Sequence, residues 1–271
     1  MNTPQFTFNY GPWAVVAGAS EGIGESFARQ IAAAGINLVL IARRPDPLTV
    51  LASSLESQFQ IQTRAIALDL TSDEMGDRLA DATSDIEVGL VVYNAGATHG
   101  AVRFHDEPVE KALNLVRLNC IGPVQLTHHF GGLMRERGHG GIILLSSVSS
   151  VSGSARTATY SATKAFDVNL AEGLWAELKP QGVDVLALIA GATHTPAMER
   201  SGALIGSTEF PGMDPDDVAR EGLANLPNGP TWVAGDQNRA TYDMLRALPR
   251  RDAVGFMSAG ARLIYGLPDE P

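Results

Sequence analysis

Short hydrophobic runs alternate along the chain with segments whose apolar residues recur at helical spacing. The runs cover residues 13–17, 36–41, 61–68, 88–93, 142–145 and 183–189. Helical patterns lie between them, at about residues 22–34, 45–58, 72–82, 108–137 and 157–178. Strands that are hydrophobic throughout are buried on both faces, and their alternation with helices predicts a parallel sheet covered by helices on both sides. We therefore expect an α/β fold with a doubly wound sheet.

The remaining segments refine this expectation. Residues 1–12 are polar, and we predict a lead-in arm there. Gly122 and Pro123 are expected to kink or shift the long helix, because proline cannot donate a backbone hydrogen bond inside a helix. Asp214 and Pro215 are typical of a helix cap and its first turn. No linker divides the chain, so we predict a single domain over residues 1–271, less regular from residue 191.

Composition narrows the class of protein. The 271-residue chain is 45% hydrophobic and has a formal net charge of −10. The acidic balance argues against a nucleic-acid partner, because no basic stripe is present to neutralise phosphates. Cys120 is the only cysteine, which excludes an internal disulfide and a thiolate metal cage. No signal sequence is visible and no apolar run is long enough to span a bilayer, so we predict a cytoplasmic protein.

Three glycines directly follow the first strand. Gly18, Gly22 and Gly24 give the pattern G-x-x-x-G-x-G between a strand and a helix. Glycine lets the backbone turn sharply and approach a diphosphate, and the N–H groups at the start of the helix can donate to it. A purely structural turn is the alternative. The position after the first strand of a parallel sheet favours nucleotide binding.

The end of the second strand bears on which dinucleotide would bind. An NAD site places Asp or Glu there to hold the ribose hydroxyls. This chain has Arg43 and Arg44 instead, and guanidinium groups suit a 2′-phosphate. We therefore predict NADP(H) rather than NAD(H), mainly on Arg43. The alternative is that the two arginines are only a solvated loop pair.

Tyr160 and Lys164 are four residues apart in a predicted helix. This spacing puts both side chains on one face, where an ammonium lowers the pKa of a neighbouring phenol. A tyrosine that loses and regains a proton near neutral pH can act as a general acid–base group for a hydroxyl or carbonyl. Such pairs also occur by chance in amphipathic helices, so the meaning of this one depends on the motifs upstream.

Taken in order, these motifs resemble the short-chain dehydrogenase/reductase family. The segment from Gly18 to Gly24 is similar to its cofactor turn, and Tyr160-x-x-x-Lys164 to its catalytic pair. Further matches are Asp69-Leu70 after the third strand, Tyr93-Asn94-Ala95-Gly96, Asn119 in the long helix, Ser147 thirteen residues before Tyr160, and the segment from Gly191 to Thr195. The match covers residues 11 to about 200. It most resembles the branch with 17β-hydroxysteroid dehydrogenases and 3-ketoacyl-CoA reductases.

The resemblance implies one Rossmann-type domain of about seven strands. Residues 11–190 would bind the cofactor, and residues 191–271 would form a substrate lid and C-terminal extension. Ala17, Tyr93 and Ala190 depart from the family's usual Thr, Asn and Pro. None of these three touches the reacting atoms, although we expect Ala190 to loosen the lid.

The resemblance also implies roles for single residues. Tyr160 would transfer the proton, and Lys164 would lower the Tyr160 pKa and hold the nicotinamide ribose. Ser147 would orient the substrate oxygen, and Asn119 would disturb its helix locally and hold a relay water. Cofactor contacts are expected from Gly18, Ser20, Glu21, Gly22, Ile23, Gly24, Arg43, Arg44, Asp69, Leu70, Asn94, Ala95, Gly96, Tyr160, Lys164, Gly191, Thr193 and Thr195.

The region after Gly191 bears on the substrate. Its apolar residues favour a hydrophobic ketone or secondary alcohol, steroid-like, 3-ketoacyl or aromatic, over a sugar. Ser149, His194 and Met198 are candidate substrate contacts, although a solvated loop histidine is an equal alternative for His194. The six histidines of the chain show no ligand spacing, so no metal site is expected.

Together these patterns predict an NADP(H)-dependent oxidoreductase for a small hydrophobic carbonyl or alcohol substrate. In the family it resembles, two long helices pair subunits, so we expect a homodimer or homotetramer. An NAD-linked alcohol dehydrogenase of the same family is one alternative, opposed by Arg43. A non-catalytic, cofactor-binding regulatory protein is another, opposed by the complete set of Asn119, Ser147, Tyr160 and Lys164.

Overall fold

A parallel sheet forms the centre of the molecule. The computed structural model describes residues 3–98, 100–208 and 210–268. The strands are β1 Trp13–Ala17, β2 Asn37–Ala42, β3 Thr63–Ala67, β4 Val88–Tyr93, β5 Gly140–Ser147, β6 Val183–Ala190 and β7 Thr231–Val233. All neighbouring strands are parallel, in the order β3-β2-β1-β4-β5-β6-β7. The predicted α/β class and the number of strands are confirmed.

Helices cover both faces of the sheet. They are α1 Thr3–Tyr10, α2 Gly22–Ala33, α3 Pro45–Phe59, α4 Met75–Thr83, α5 Val109–Val116, α6 Gly122–Arg137, α7 Ala158–Leu178, α8 Pro196–Arg200, α9 Pro215–Asn225, α10 Asp236–Ala247 and α11 Arg250–Ile264. Within the described residues, no helix is long and apolar enough to cross a membrane. Asp214 caps α9 as predicted, because its side chain accepts from the backbone N–H of Asp216 at 2.8 Å.

Alternate residues of each strand supply two separate cores. Ala14 and Val16 of β1 pack on the face covered by α2, α3 and α9. Val15 and Ala17 pack on the opposite face, against α6 and α7. A strand's side chains point alternately to the two faces, so a central strand of this kind is apolar at every position. The hydrophobic runs therefore mark the strands.

The predicted long helix is interrupted earlier than expected. It divides into α5 and α6, with a π-helical turn at Arg117–Ile121 between them. Pro123 lies in the first turn of α6, directly after the π-helical turn. The disturbance that we expected at Gly122-Pro123 therefore falls on the turn that carries Asn119.

The N-terminal segment is a helix, and the prediction of a lead-in arm is wrong for its described residues. Phe6 and Tyr10 of α1 lie one turn apart, and both are buried. The Tyr10 hydroxyl donates to Asp184 Oδ2 at 2.6 Å. Burial raises the pKa of Tyr10 well above its ordinary value, and Asp184 raises it further. The hydroxyl therefore remains a donor at ordinary pH and anchors α1 to β6.

This anchor can be tested by removing one hydroxyl. We expect Tyr10→Phe to lower the free energy of unfolding by about 1–2 kcal/mol, because a buried donor to a carboxylate is lost. Phe8→Ala on the same helix is the control, since Phe8 is 81% exposed, and it should change stability by less than about 0.5 kcal/mol. Urea unfolding followed by circular dichroism measures both. Equal effects of the two substitutions would contradict the anchoring role.

Candidate active site

The strand order creates a cleft at one edge of the sheet. The chain leaves β1 for one face and β4 for the other, and the carboxyl ends of these strands lie side by side, with Ala17 opposite Tyr93. In doubly wound sheets, ligands bind at such a switch point. A cavity of about 830 Å³ opens there, lined by residues that follow β1, β2, β4, β5 and β6.

The glycine turn after β1 forms the floor of this cavity. Gly18 and Gly22 have φ values of 81° and 57°, in the left-handed region that favours glycine. A Cβ on Gly18 would overlap Ala95, and one on Gly24 would overlap the Gly18 carbonyl. The Asn94 side-chain amide donates to the Gly18 carbonyl at 2.9 Å and ties the turn to the end of β4.

An ion-pair cluster lies at the rim of the glycine turn. The Glu21 carboxylate accepts a hydrogen bond from Arg44 at 2.6 Å. It also accepts two hydrogen bonds from Arg200 of α8, one of them at 3.1 Å. Burial raises the pKa of Glu21, but the two arginines lower it below its ordinary value. Arg44 is therefore already paired. The cluster also connects the segment after β6 to the turn after β1.

Arg43, the neighbour of Arg44, has different surroundings. Arg43 is exposed and lines the cavity, and within the described residues it makes no ion pair. Asp69 does not line the cavity: its Oδ1 accepts from the Thr71 N–H at 3.0 Å and from the Thr71 hydroxyl at 2.8 Å. The hydrogen bond from the Thr71 N–H is the main cause that lowers the pKa of Asp69 below its ordinary value. Leu70, its predicted companion, does line the cavity.

Ser147, Tyr160 and Lys164 meet on one wall of the cavity. Ser147 ends β5, and Tyr160 and Lys164 lie on α7. The Ser146 hydroxyl donates to the Lys164 carbonyl at 2.7 Å, which joins the end of β5 to α7. The Ser147 hydroxyl accepts from the Ser149 N–H at 3.2 Å and keeps its own proton available for a ligand. This wall can therefore present a hydroxyl, a phenol and an ammonium to one bound molecule.

Lys164 is buried, and its ammonium has two oxygen partners. Its Nζ donates to the Leu145 carbonyl at 2.8 Å and to Asp167 Oδ2 at 3.0 Å. Burial lowers the pKa of Lys164, but the charge of Asp167 and its hydrogen bond outweigh burial, so the pKa lies above the ordinary lysine value. The side chain is therefore charged at neutral pH.

Asn119 lies behind the cavity wall and is fully buried. Its amide donates to the Thr163 hydroxyl at 3.0 Å and its Oδ1 accepts from the Ala97 N–H at 3.2 Å. It thus joins the loop after β4 to α7.

Tyr93 supports the π-helical turn that carries Asn119. The Tyr93 hydroxyl donates to the Leu118 carbonyl at 2.6 Å. We expected this residue only to lose a side-chain amide relative to the family. The structure shows that its hydroxyl instead satisfies a carbonyl at the helix irregularity.

The C-terminal helix forms the far wall of the cavity, which the sequence did not reveal. One face of α11 lines it with Phe256, Met257, Gly260, Ala261, Ile264 and Tyr265. The Ser258 hydroxyl accepts from the Ala155 N–H at 2.9 Å and holds α11 against the loop after β5. The spacing of these residues, on one helical face, was the available signal. Asn238 and Arg200 also line the cavity and were not predicted.

The predicted site residues mostly gather here, with four exceptions. Ser149 and Met198 line the cavity, as do most predicted cofactor contacts, but Gly24, Asp69, Asn119 and His194 do not. Of the two interpretations of His194, a substrate contact or a solvated loop histidine, its position in this structure agrees with the second. Its exposed ring instead contacts Glu199 at 2.8 Å on the outside of the segment after β6. Within the described part of the chain, no cluster of potential metal ligands occurs; His99 lies outside the described residues.

The cavity fits a dinucleotide. The glycine turn lines it at the start of α2, and the close packing of Gly18 and Gly24 on Ala95 and on the turn itself excludes a Cβ there, as in dinucleotide-binding turns. Arg43, Lys164 and Tyr160 all line this cavity, as does the glycine turn. Residues that would hold the phosphates and the riboses of a nicotinamide cofactor therefore share one cavity.

Known proteins agree with this geometry. The family model for short chain dehydrogenase matches residues 12–203. A 7β-hydroxysteroid dehydrogenase of Clostridium sardiniense is 30% identical over 249 residues, 92% of this chain and 95% of the relative. A very-long-chain 3-oxoacyl-CoA reductase of Neurospora crassa is 36% identical over 194 residues, 70% of this chain but 58% of the relative.

A solved structure extends the agreement to three dimensions. The short-chain dehydrogenase from Sphingobium yanoikuyae, solved in complex with NADPH, has a TM-score of 0.77 and 28% identity, covering 87% of this chain and 92% of that one. The resemblance drawn from the sequence motifs is confirmed. The chain belongs to the short-chain dehydrogenase family and is an oxidoreductase that acts on CH–OH and C=O groups with a nicotinamide cofactor.

Proposed function

We propose that this enzyme interconverts a hydrophobic ketone and its secondary alcohol with NADP(H), using Tyr160 as the general acid–base group. One observation carries the proposal. Ser147, Tyr160 and Lys164 line the same cavity as the glycine turn and the mainly apolar face of α11. The polar wall suits a carbonyl oxygen, and the apolar wall suits the body of its molecule.

In the reducing direction, Tyr160 donates its proton to the carbonyl oxygen and Ser147 donates a hydrogen bond to the same oxygen. The cofactor, when bound, would supply a hydride, which brings the two electrons and the hydrogen that the carbonyl carbon gains. Lys164 keeps a positive charge near Tyr160, which favours the phenolate left after proton transfer. In the oxidising direction the phenolate takes the alcohol proton. Asn119 holds the loop after β4 against α7 and, in this proposal, positions the relay of protons toward Lys164.

The preference for NADP(H) rests on Arg43. Arg44 is paired with Glu21, whereas Arg43 lines the cavity and makes no ion pair within the described residues. A guanidinium at the end of β2 is suited to a 2′-phosphate. The NADPH in the Sphingobium yanoikuyae relative supports this preference. An NAD-linked enzyme is the alternative that the Arg43 experiment below distinguishes.

The substrate proposal rests on the walls around Ser147. Phe256, Met257 and Ile264 of α11 and Met198 of α8 give an apolar lining. The relatives are named for 7β-hydroxysteroids and for very-long-chain 3-oxoacyl-CoA, in which a steroid nucleus or a long acyl chain is the apolar part. A steroid-like, 3-ketoacyl or aromatic ketone is therefore proposed. Residues 11–190 would hold the cofactor and residues 191–271 would enclose the substrate.

A homodimer is part of the proposal. Exposed apolar side chains on α5, the π-helical turn, α6 and α7 favour it, namely Val109, Leu113, Val116, Ile121, Val124, Leu133 and Phe166. Large exposed apolar patches are typical of subunit interfaces. A homotetramer and a cytoplasmic location remain predictions, as does the alternative of a non-catalytic, cofactor-binding regulatory protein.

Turnover of a ketone tests the proposed function. We expect NADPH-dependent reduction of an apolar ketone, from a panel with a keto-steroid, a 3-ketoacyl thioester, an aryl ketone and a sugar, measured by NADPH absorbance. Tyr160→Phe should lower kcat by about 100-fold or more, because general acid catalysis contributes this much, while NADPH fluorescence titration shows unchanged binding. Near wild-type turnover in this variant would exclude Tyr160. The regulatory alternative would be favoured by tight NADPH binding without any turnover, either of these ketones with NADPH or of alcohols with NADP⁺.

The affinities for NADPH and NADH test the proposed cofactor preference. Arg43→Ala should weaken NADPH binding about 10- to 100-fold. The reason is that the loss of a hydrogen bond between charged groups costs about 1.4–3 kcal/mol of binding free energy. NADH binding should change less than about twofold. Arg220→Ala is the control, since Arg220 pairs with Asp217 away from the cavity. An unchanged NADPH/NADH affinity ratio in Arg43→Ala would overturn the NADP(H) preference.

A further inference from the structure

One buried carboxylate beside the site has no role in the mechanism above. Asp167 lies on α7, one turn after Lys164, and its side chain is 3% exposed. Its Oδ2 accepts from Lys164 Nζ at 3.0 Å. Its Oδ1 is also buried and makes no hydrogen bond within the described residues. A carboxylate with an unsatisfied buried oxygen is unfavourable, and a buried ion pair is weak evidence for stability, so a role in stability alone does not explain Asp167.

The position of Lys164 shows what Asp167 provides. An ammonium has three donors, and two of those on Lys164 bind Leu145 and Asp167. The third makes no hydrogen bond within the described residues, and Lys164 lines the cavity. The Leu145 carbonyl is neutral, so Asp167 is the only described carboxylate that balances this charge. Burial without a counter-ion would favour the neutral amine.

The other titratable groups around the pair cannot replace this charge. Tyr93 of β4 and Cys120 of the π-helical turn face Asp167, and Tyr160 of α7 faces Lys164. Burial, reinforced by Asp167, raises the pKa of Tyr93 well above its ordinary value and that of Cys120 to about 11. Both groups are therefore neutral at pH 7. Burial raises the pKa of Asp167 itself above its ordinary value, and the charge and hydrogen bond of Lys164 oppose this rise. With Lys164 Nζ at 3.0 Å, Asp167 is the group of this set that supplies the negative charge.

We propose that Asp167 is a positioning residue for the reaction, whose carboxylate holds the Lys164 ammonium in its charged form against the end of β5, on the wall that carries Tyr160. The proposal rests on the proposed role of Lys164. Asp167 acts through Lys164 and does not touch substrate or cofactor. Its charge keeps Lys164 a cation in a place where burial alone would neutralise it.

The composition of the chain allows a direct test. It has three lysines, Lys111, Lys164 and Lys179, and the other two are surface residues paired with Glu107 and Asp184. With ¹³C/¹⁵N-labelled lysine, NMR gives three side-chain signals. Lys111→Arg/Lys179→Arg leaves only that of Lys164. A pH titration of this signal reads the charge of Lys164 without any turnover.

In the otherwise native site we expect the Lys164 signal to remain that of an ammonium up to at least pH 10, because an ordinary lysine titrates near 10.4. In Asp167→Asn it should titrate at least about two pH units lower, since burial then acts without the charge and hydrogen bond of Asp167, whose charge is the largest contribution that opposes it. Glu172→Gln is the matched control, because it removes an exposed carboxylate from the same helix, and it should leave the titration unchanged.

Kinetics connect the charge to the reaction. In Asp167→Asn, kcat should fall about tenfold at pH 8 with NADPH affinity changed less than about threefold, as expected when positioning fails. The deficit should grow with pH and set in at the Lys164 pKa measured by NMR. Asp167→Glu, which keeps the charge, should recover kcat to within about threefold of wild type. A merely structural role would give no such coincidence of pH values.

Three results would overturn the proposal. The first is a Lys164 signal that titrates below the ordinary lysine value in the native site. The second is a Lys164 titration that is unchanged in Asp167→Asn. The third is a Lys164 pKa that is lowered in Asp167→Asn while kcat stays unchanged. If Asp167→Asn does not fold, the first result decides. Failure of the proposed function is separate, because an enzyme without turnover on any ketone or alcohol would still give the lysine titration.

Discussion

A lysine ammonium that is removed from water needs oxygen atoms at hydrogen-bond distance, because an unpaired buried charge is far more costly than any local packing can offset. Lys164 obtains one oxygen from β5 and one from its own helix. The contact with Leu145 requires α7 to lie at a fixed height along β5, and the Ser146–Lys164 hydrogen bond holds it there. The relation between Ser147 on the strand and Tyr160 on the helix therefore depends on the same contacts that satisfy the lysine.

A second set of contacts holds the opposite side of the site. The Asn119 amide spans from the loop after β4 to Thr163 of α7, and it reaches both because the π-helical turn changes its direction relative to α5. π-helical turns are rare and often lie at functional sites. In this chain the irregularity does not leave a buried carbonyl unsatisfied, since Tyr93 donates to Leu118.

The features that could be predicted from sequence are local. The glycine turn and the Tyr160–Lys164 pair each depend on one connection or one helix, so spacing was sufficient. The role of Asp167 was not predictable in this way, because acid–base pairs at this spacing are mostly solvated, and only the packing of α7 on β5 buries this one. The helices α1 and α11 were missed because their contacts are distant in sequence, as Tyr10–Asp184 and Ser258–Ala155 illustrate. The orientation of His194 depends on a loop that has no periodic pattern.

The contact between Tyr93 and the π-helical turn also limits what can stand at the start of α6. A Cβ at Gly122 would overlap the Tyr93 hydroxyl. The two positions are therefore coupled: a larger residue at position 122 fits only in a lineage in which the tyrosine is lost or its hydroxyl moves away. Such a lineage must supply the Leu118 carbonyl with another donor, or straighten the helix and move Asn119. Glycine at 122 and tyrosine at 93 should thus be inherited together.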